Sequence, residues 1–201
     1  MKVAVVGATG RAGSEIVGEL ARRGHEVLAI ARKPGEAAER VTPLALDAAD
    51  SAALSEALRG QDAVVTARRF ADTDAAAMIG AVTASGVPRL LVVGGAASLR
   101  TADGKRLFDS AHFPEAYRAE AGAGIAFLDL LKASEGLDWT FLSPSMLFDT
   151  GPRTGGYRSG KDDLLHDAEG ISFISFADYA IAMADEIESP KHSRERFTVG
   201  Y

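Results

Sequence analysis

Residues 1–13 read MKVAVVGATGRAG: an apolar, β-branched run that stops at Gly7-Ala8-Thr9-Gly10-Arg11-Ala12-Gly13. The run predicts a buried strand over 2–6. Residues 11–23 predict the helix that follows it, with Ile16, Val17 and Leu20 at helical spacing and Gly24 at its stop. A G-x-x-G-x-x-G spacing between a strand and a helix is a phosphate-binding arrangement. Gly7 permits the tight turn, Gly10 lets the backbone approach a pyrophosphate, and Gly13 lets the helix pack close to the sheet. The N–H groups of Arg11, Ala12 and Gly13 then face the phosphates, with the helix dipole behind them.

Outward from this turn, short apolar runs alternate with helical patterns. Strands are predicted over 26–31, 42–46, 62–66, 89–93 and 137–142. Helices are predicted over 36–40, from Asp50 or Ser51 to 58, from Asp72 or Thr73 to about 86, and from Pro114 to about 134. Residues 97–113 read as a loop and 149–170 as a glycine-rich, charged excursion with some short hairpin pairing. A strand over 171–175, a helix over 176–188 opened by Asp178 or the residues just before it, and a last strand over 196–199 complete the chain. This alternation predicts an α/β fold, a Rossmann-like doubly wound parallel sheet. One domain over 1–201 is expected, with 144–201 forming most of a small substrate wall.

The end of the second strand selects the dinucleotide. An acid there binds the ribose 2′-hydroxyl, whereas arginine accommodates a 2′-phosphate. Ala31 leads into Arg32-Lys33, with Arg32 22 residues past Gly10 and no acid in place, so NADP(H) is expected over NAD(H). The Arg32 guanidinium offers a planar fork for phosphate and Lys33 a second charge. Asp47, after the third strand, either meets the adenine amino group or caps a turn.

Composition bears on partners. The 201 residues carry 22 Lys+Arg and 28 Asp+Glu, a net charge of −6, yet residues 1–70 hold 10 basic and 9 acidic side chains. An anion is therefore expected in the first third, and the acidic balance argues against nucleic acid. No window approaches the ~18 apolar residues of a spanning helix. A cytoplasmic protein acting on a small molecule is expected. The chain has no Cys, and no two of its four His have metal-ligand spacing, so neither thiol chemistry nor a metal is expected.

GATGRAG at 7–13, AIARKP at 29–34, Leu46-Asp47, VVGGAASL at 92–99 and LDWTFLSPSMLF at 137–148 together resemble the atypical short-chain dehydrogenase/reductases of the NAD(P)H-binding, NmrA-like type. Within that type the likeness is to small bacterial NADH-flavin reductases and to biliverdin reductase B. The resemblance implies that Gly7, Thr9, Gly10, Arg11, Ala12 and Gly13 form the pyrophosphate turn and that Arg32 meets the 2′-phosphate. It implies that Thr66 and Ala67 run past the adenine-side ribose, that the stretch from Gly94 to Ser98 approaches the nicotinamide ribose, and that Pro144 and Ser145 flank the carboxamide.

One departure concerns chemistry. Typical short-chain dehydrogenases use Tyr-x-x-x-Lys, in which the ammonium lowers the phenol's pKa. Here Tyr117 is followed at that spacing by Ala121, and the Tyr157/Lys161 pair falls in the excursion after strand six. Ser98, as a hydrogen-bond donor to a substrate carbonyl, and Tyr117, at the start of the long helix, are the remaining catalytic candidates. Ser98 is as readily a turn or helix cap, and Tyr117 is more readily a packing residue. Arg68-Arg69 can recruit an anion or lie in a solvated loop. Phe108, Phe113, Met146 and Phe148 can line an apolar pocket or belong to the core. The expected function is an NADPH-dependent oxidoreductase passing a hydride to a small planar acceptor such as a flavin or quinone, because such chemistry resides mainly in the cofactor. The alternative is an NADP-binding regulatory sensor without turnover. A sugar-nucleotide epimerase is disfavoured by the short chain and the missing tyrosine motif.

Overall fold

In the computed structural model, which describes residues 1–201, the strand before the glycine turn, β1 (Lys2–Val6), stands inside an eight-stranded sheet. The first half of the chain continues through α1 (Arg11–Arg22), β2 (Glu26–Ala31), β3 (Val41–Ala45), α2 (Ser51–Leu58), β4 (Ala63–Thr66), α3 (Ala75–Ser85) and β5 (Arg89–Val93). The second half adds α4 (Arg118–Ala133), β6 (Asp138–Ser143), β7 (Leu147–Asp149), β8 (Arg158–Gly160), β9 (Phe173–Ser175), α5 (Phe176–Glu188) and β10 (Glu195–Gly200).

Strand order is β3-β2-β1-β4-β5-β6-β10-β8, and only the β10/β8 pair is antiparallel. The chain builds outward from β1 to β3, then crosses to β4 on the other side. The carboxyl ends of β1 and β4 are therefore the topological switch point, where open α/β sheets bind ligands. Both faces are covered, which is why the strands read as unbroken apolar runs. Val3 and Val5 pack with Ile16, Leu20, Tyr179 and Met183 beneath α1 and α5. Ala4 and Val6 share the opposite core with Leu54, Val82, Leu128 and Leu131 beneath α2, α3 and α4. No helix is long and apolar enough to cross a membrane. The Rossmann-like parallel sheet expected from the sequence is the fold observed.

The chain departs from its predicted pattern in the connections. The helix expected over 36–40 does not form. A five-residue helix after Pro34-Gly35 cannot offset nucleation, and Arg40 takes a left-handed φ of 62° while Ala38 bridges back to Val41. The third helix starts later than Asp72 or Thr73: residues 70–72 form a 3-10 turn, and Asp74 caps α3 by accepting from Ala77 N–H at 3.0 Å. Pro114 does not open a continuous helix either. A 3-10 turn over Glu115–Tyr117 precedes α4, because Pro114 itself is extended, with ψ 129°. The 97–113 loop carries two 3-10 turns, at Ala96–Ser98 and Leu107–Asp109. In the excursion, β8 pairs with β10, and β7 lies parallel to β9 in a separate two-stranded sheet.

Candidate cofactor site

The turn after β1 is closed by backbone alone. Gly7 and Ala8 N–H donate to Ile30 O at 2.9 and 3.2 Å, and Gly10 N–H donates to Gly7 O at 3.0 Å. Gly7 has φ +89°, and a Cβ there would stand 2.9 Å from the Ala67 carbonyl. At Gly13 a Cβ would stand 2.1 Å from Gly7 O, so only glycine lets α1 start this close to the strand. Side chains cap α2, α3 and α5 through Asp50, Asp74 and Ser175. At α1 the N-cap is Gly10 and no side chain caps it; the N–H groups of Arg11, Ala12 and Gly13 find no acceptor in the chain. Three free donors at a helix N-terminus form an anion site. Thr9 and Gly10 are exposed beside it.

At the other end of the crevice, Arg32 and Lys33 follow β2, exposed, without a hydrogen bond or ion pair to the rest of the chain. Asp47 forms an Asx turn: its Oδ1 accepts from Ala49 N–H at 3.0 Å and lies 3.9 Å from Arg68 Nη1. Arg68 is folded back, donating to Asp72 O at 2.7 Å. Arg69 lies 3.8 Å from Glu120, whose two carboxylate oxygens accept from Phe70 and Ala71 N–H at 2.7 and 2.9 Å. Of the four basic residues at this edge, Arg32 and Lys33 remain unengaged. Thr66 is buried, and Ala67 passes directly under Gly7.

Across the switch point, Gly94 N–H donates to Leu142 O at 2.8 Å. Pro144 is buried, and the Ser145 hydroxyl donates to Val199 O at 3.0 Å. Ser98 accepts from Arg196 Nη1 at 3.1 Å, and Arg196 in turn holds Asp162. Tyr117 is 65% exposed, so its phenol faces solvent at the foot of α4. The four apolar candidates do not converge. Phe108 and Phe113 pack on each other at 5.3 Å under Arg118, against α4, whereas Phe148 packs on Phe176 and Tyr179 at 4.5 and 4.6 Å, against α5. Met146 is exposed. Tyr157 donates to Asp185 at 2.7 Å, and burial together with that carboxylate pushes its pKa upward, the reverse of what an acid–base tyrosine needs.

These strand ends, the uncapped helix and the glycine contacts are those of a dinucleotide-binding turn, and a family model described as NAD(P)H-binding matches residues 7–187. The chain belongs to the NAD(P)H-binding family. The atypical short-chain dehydrogenase/reductase type expected from the sequence is borne out, and the fold is that of NAD(P)H-binding oxidoreductases. Solved structures of the family's members superpose along the whole chain. A Burkholderia pseudomallei protein proposed to be exported is 42% identical with a TM-score of 0.89, both chains being covered completely. A proposed epimerase from Bacteroides thetaiotaomicron is 40% identical with a TM-score of 0.93, covering 100% of this chain and 96% of that one. A proposed NADH-flavin reductase from Streptococcus pneumoniae is 36% identical with a TM-score of 0.87, over 100% and 99% of the two chains. The family's fold is thus shared by proteins given different activities, and the site must decide the reading.

Sequence reasoning missed the contacts that tie α1 and α5 to residues 149–155. Arg11 pairs with Asp149 at 3.0 Å and lies 5.0 Å over the Phe176 ring. Buried Asp178 accepts from Thr154 N–H, Gly155 N–H and the hydroxyls of Thr154 and Tyr201. Buried Glu19 takes Arg22, Arg23 and Arg153. Only Ser175 followed by Asp178, a capping pattern, was readable locally.

Proposed function

We propose that this protein is an NADPH-dependent oxidoreductase passing a hydride to a small planar acceptor such as a flavin or quinone. The observation that carries the reading is the N-terminus of α1: three unpaired N–H donors, held open by glycine contacts no other residue tolerates. When bound, the dinucleotide supplies the hydride. The chain's part is to hold it. Arg11, Ala12 and Gly13 N–H face the pyrophosphate. Arg32 and Lys33, free of internal partners, meet the 2′-phosphate. Thr66, Ala67, Gly94, Pro144 and Ser145 border the path between. A flavin or quinone needs little acid–base help, which agrees with a chain that lacks the Tyr-x-x-x-Lys pair.

Calorimetric titration with NADPH and NADH, followed by oxidation assays over a panel of flavins and quinones, tests the proposal. NADPH should bind at least about tenfold more tightly than NADH, the scale of one charge-assisted phosphate contact, and acceptor-dependent oxidation should follow. Absence of NADPH binding overturns the reading. Tight binding without oxidation by any acceptor replaces it with a dinucleotide sensor.

A further inference from the structure

We propose that Asp149 is a resident competitor for the dinucleotide's diphosphate: it holds the Arg11 guanidinium in the ligand-free chain and gives it up to the phosphates on binding. The inference rests on the dinucleotide reading of the turn and adds a side-chain switch to it.

Arg11 contributes one of the three free N–H groups of the turn, so its side chain leaves the backbone at the anion site itself. That side chain is 72% exposed, and its guanidinium lies over the Phe176 ring with Nη1 3.0 Å from Asp149 Oδ1. Asp149, its side chain 64% exposed, stands at an anchored strand end. It ends β7 in register with Ser175 of β9, and its Oδ1 also accepts from Thr150 N–H at 2.7 Å. The chain beyond it is pinned by Asp178 at Thr154 and Gly155 and by Glu19 at Arg153. A negative charge within one arginine's length of an anion site repels the ligand unless a cation offsets it. Arg11 is that cation. An exposed pair of this kind is weak, whereas a diphosphate offers the guanidinium a more highly charged, bidentate acceptor. The stacked ring lets the guanidinium slide between the two without losing its face contact.

The test compares the wild-type chain with Asp149→Asn, Arg11→Met and the double variant, reading Kd for NADP⁺ by calorimetry and folding by thermal melting. A second titration uses adenosine 2′-monophosphate, which keeps the 2′-phosphate and carries no phosphate at the 5′ position. Asp149→Asn should tighten NADP⁺ about threefold to fivefold, the size of an exposed ion pair. It should leave the 2′-monophosphate unchanged, and the gain should shrink at high salt. Arg11→Met should weaken NADP⁺ about tenfold or more. In its background Asp149→Asn should gain clearly less, because only the carboxylate's repulsion of the ligand is then relieved. Unchanged or weaker NADP⁺ binding in a folded Asp149→Asn chain overturns the proposal while leaving the site's assignment intact. An equal gain with and without Arg11 also overturns it, since Asp149 then acts by repulsion alone. If wild-type protein binds the 2′-monophosphate but not NADP⁺, or binds neither, the dinucleotide reading itself fails and takes this inference with it.

Discussion

The glycine turn at 7–13 and the strap at 149–157 are neighbours joined by Arg11 and Asp149, yet they are held by opposite means. Backbone hydrogen bonds and the absence of side chains shape the turn, which leaves its N–H donors open. The strap is tied by two buried carboxylates from elsewhere, Glu19 and Asp178, which take up its polar groups. A segment that keeps donors unpaired is built for a ligand. One whose Arg153 side chain and Thr154 and Gly155 amides end on buried protein acids is tied in place.

The sharpest way to break this contrast is Gly13→Val. Its Cβ would stand 2.1 Å from Gly7 O, a clash with backbone that cannot rotate away. The expected cost is about 3 kcal/mol or more, at the top of the overpacking range, with NADP(H) binding lost in calorimetry. Gly18→Ala, on the same helix with nothing within 4 Å of the added methyl, should be neutral or stabilising by up to about 1 kcal/mol. A Gly13 variant that melts and binds like wild type would show that the close approach is not what builds the site.

Asp178→Ala attacks the strap instead. It strips an acceptor from Thr154 N–H, Gly155 N–H and the Tyr201 hydroxyl, all part-buried. The expected loss is about 2–3 kcal/mol in a urea titration, as for several part-buried hydrogen bonds to a charged group lost at once. Limited proteolysis should cut within 150–157, and NADP(H) affinity should change far less than in Gly13→Val.

This division also sets what could be read from the sequence. The turn was legible because all its determinants lie within seven residues and follow from the conformational freedom of glycine. The placement of Arg32 and Lys33 at the exposed end of β2 was legible because it is counted from the same strand. The strap was not, since its anchors lie up to 134 residues away, as between Arg153 and Glu19, and no periodicity marks an ion pair across that separation. Ser145 illustrates the middle case. Its place after β6 was readable, but its hydroxyl's commitment to Val199 depends on how β10 joins the sheet.

Arg32→Gln sharpens the comparison from the binding side. With no internal partner to lose, stability should hold within about 0.5 kcal/mol. Kd for NADPH should rise about 10- to 30-fold, the lower part of the range for a charged hydrogen bond, while NADH binding stays unchanged. Equal losses for both cofactors would move the 2′-phosphate elsewhere.

Acid should separate the two regions with the smallest effect at neutral pH. Burial alone would raise the pKa of Glu19 and Asp178. Hydrogen bonds from Arg23, Arg22 and Arg153 to the first, and from Thr154, Tyr201 and Gly155 to the second, outweigh it and hold both below the usual carboxylate range. A carboxylate whose folded pKa is depressed contributes stability that is complete above its unfolded value and is lost as pH falls through that value towards the folded one. Nothing should change between neutrality and about pH 5, and the strap should loosen as pH drops below about 4. Hydrogen exchange of the Thr154 and Gly155 amides, corrected for intrinsic rate, should accelerate in that window. Amides of α1 ahead of Glu19, such as those of Glu15 and Ile16, should not, because no carboxylate closes the turn that starts the helix. In Asp178→Asn those two amides should exchange faster already at neutral pH and show a weaker acid response. An undiminished response there would mean that another group titrates, and that Asp178 does not hold the strap in place.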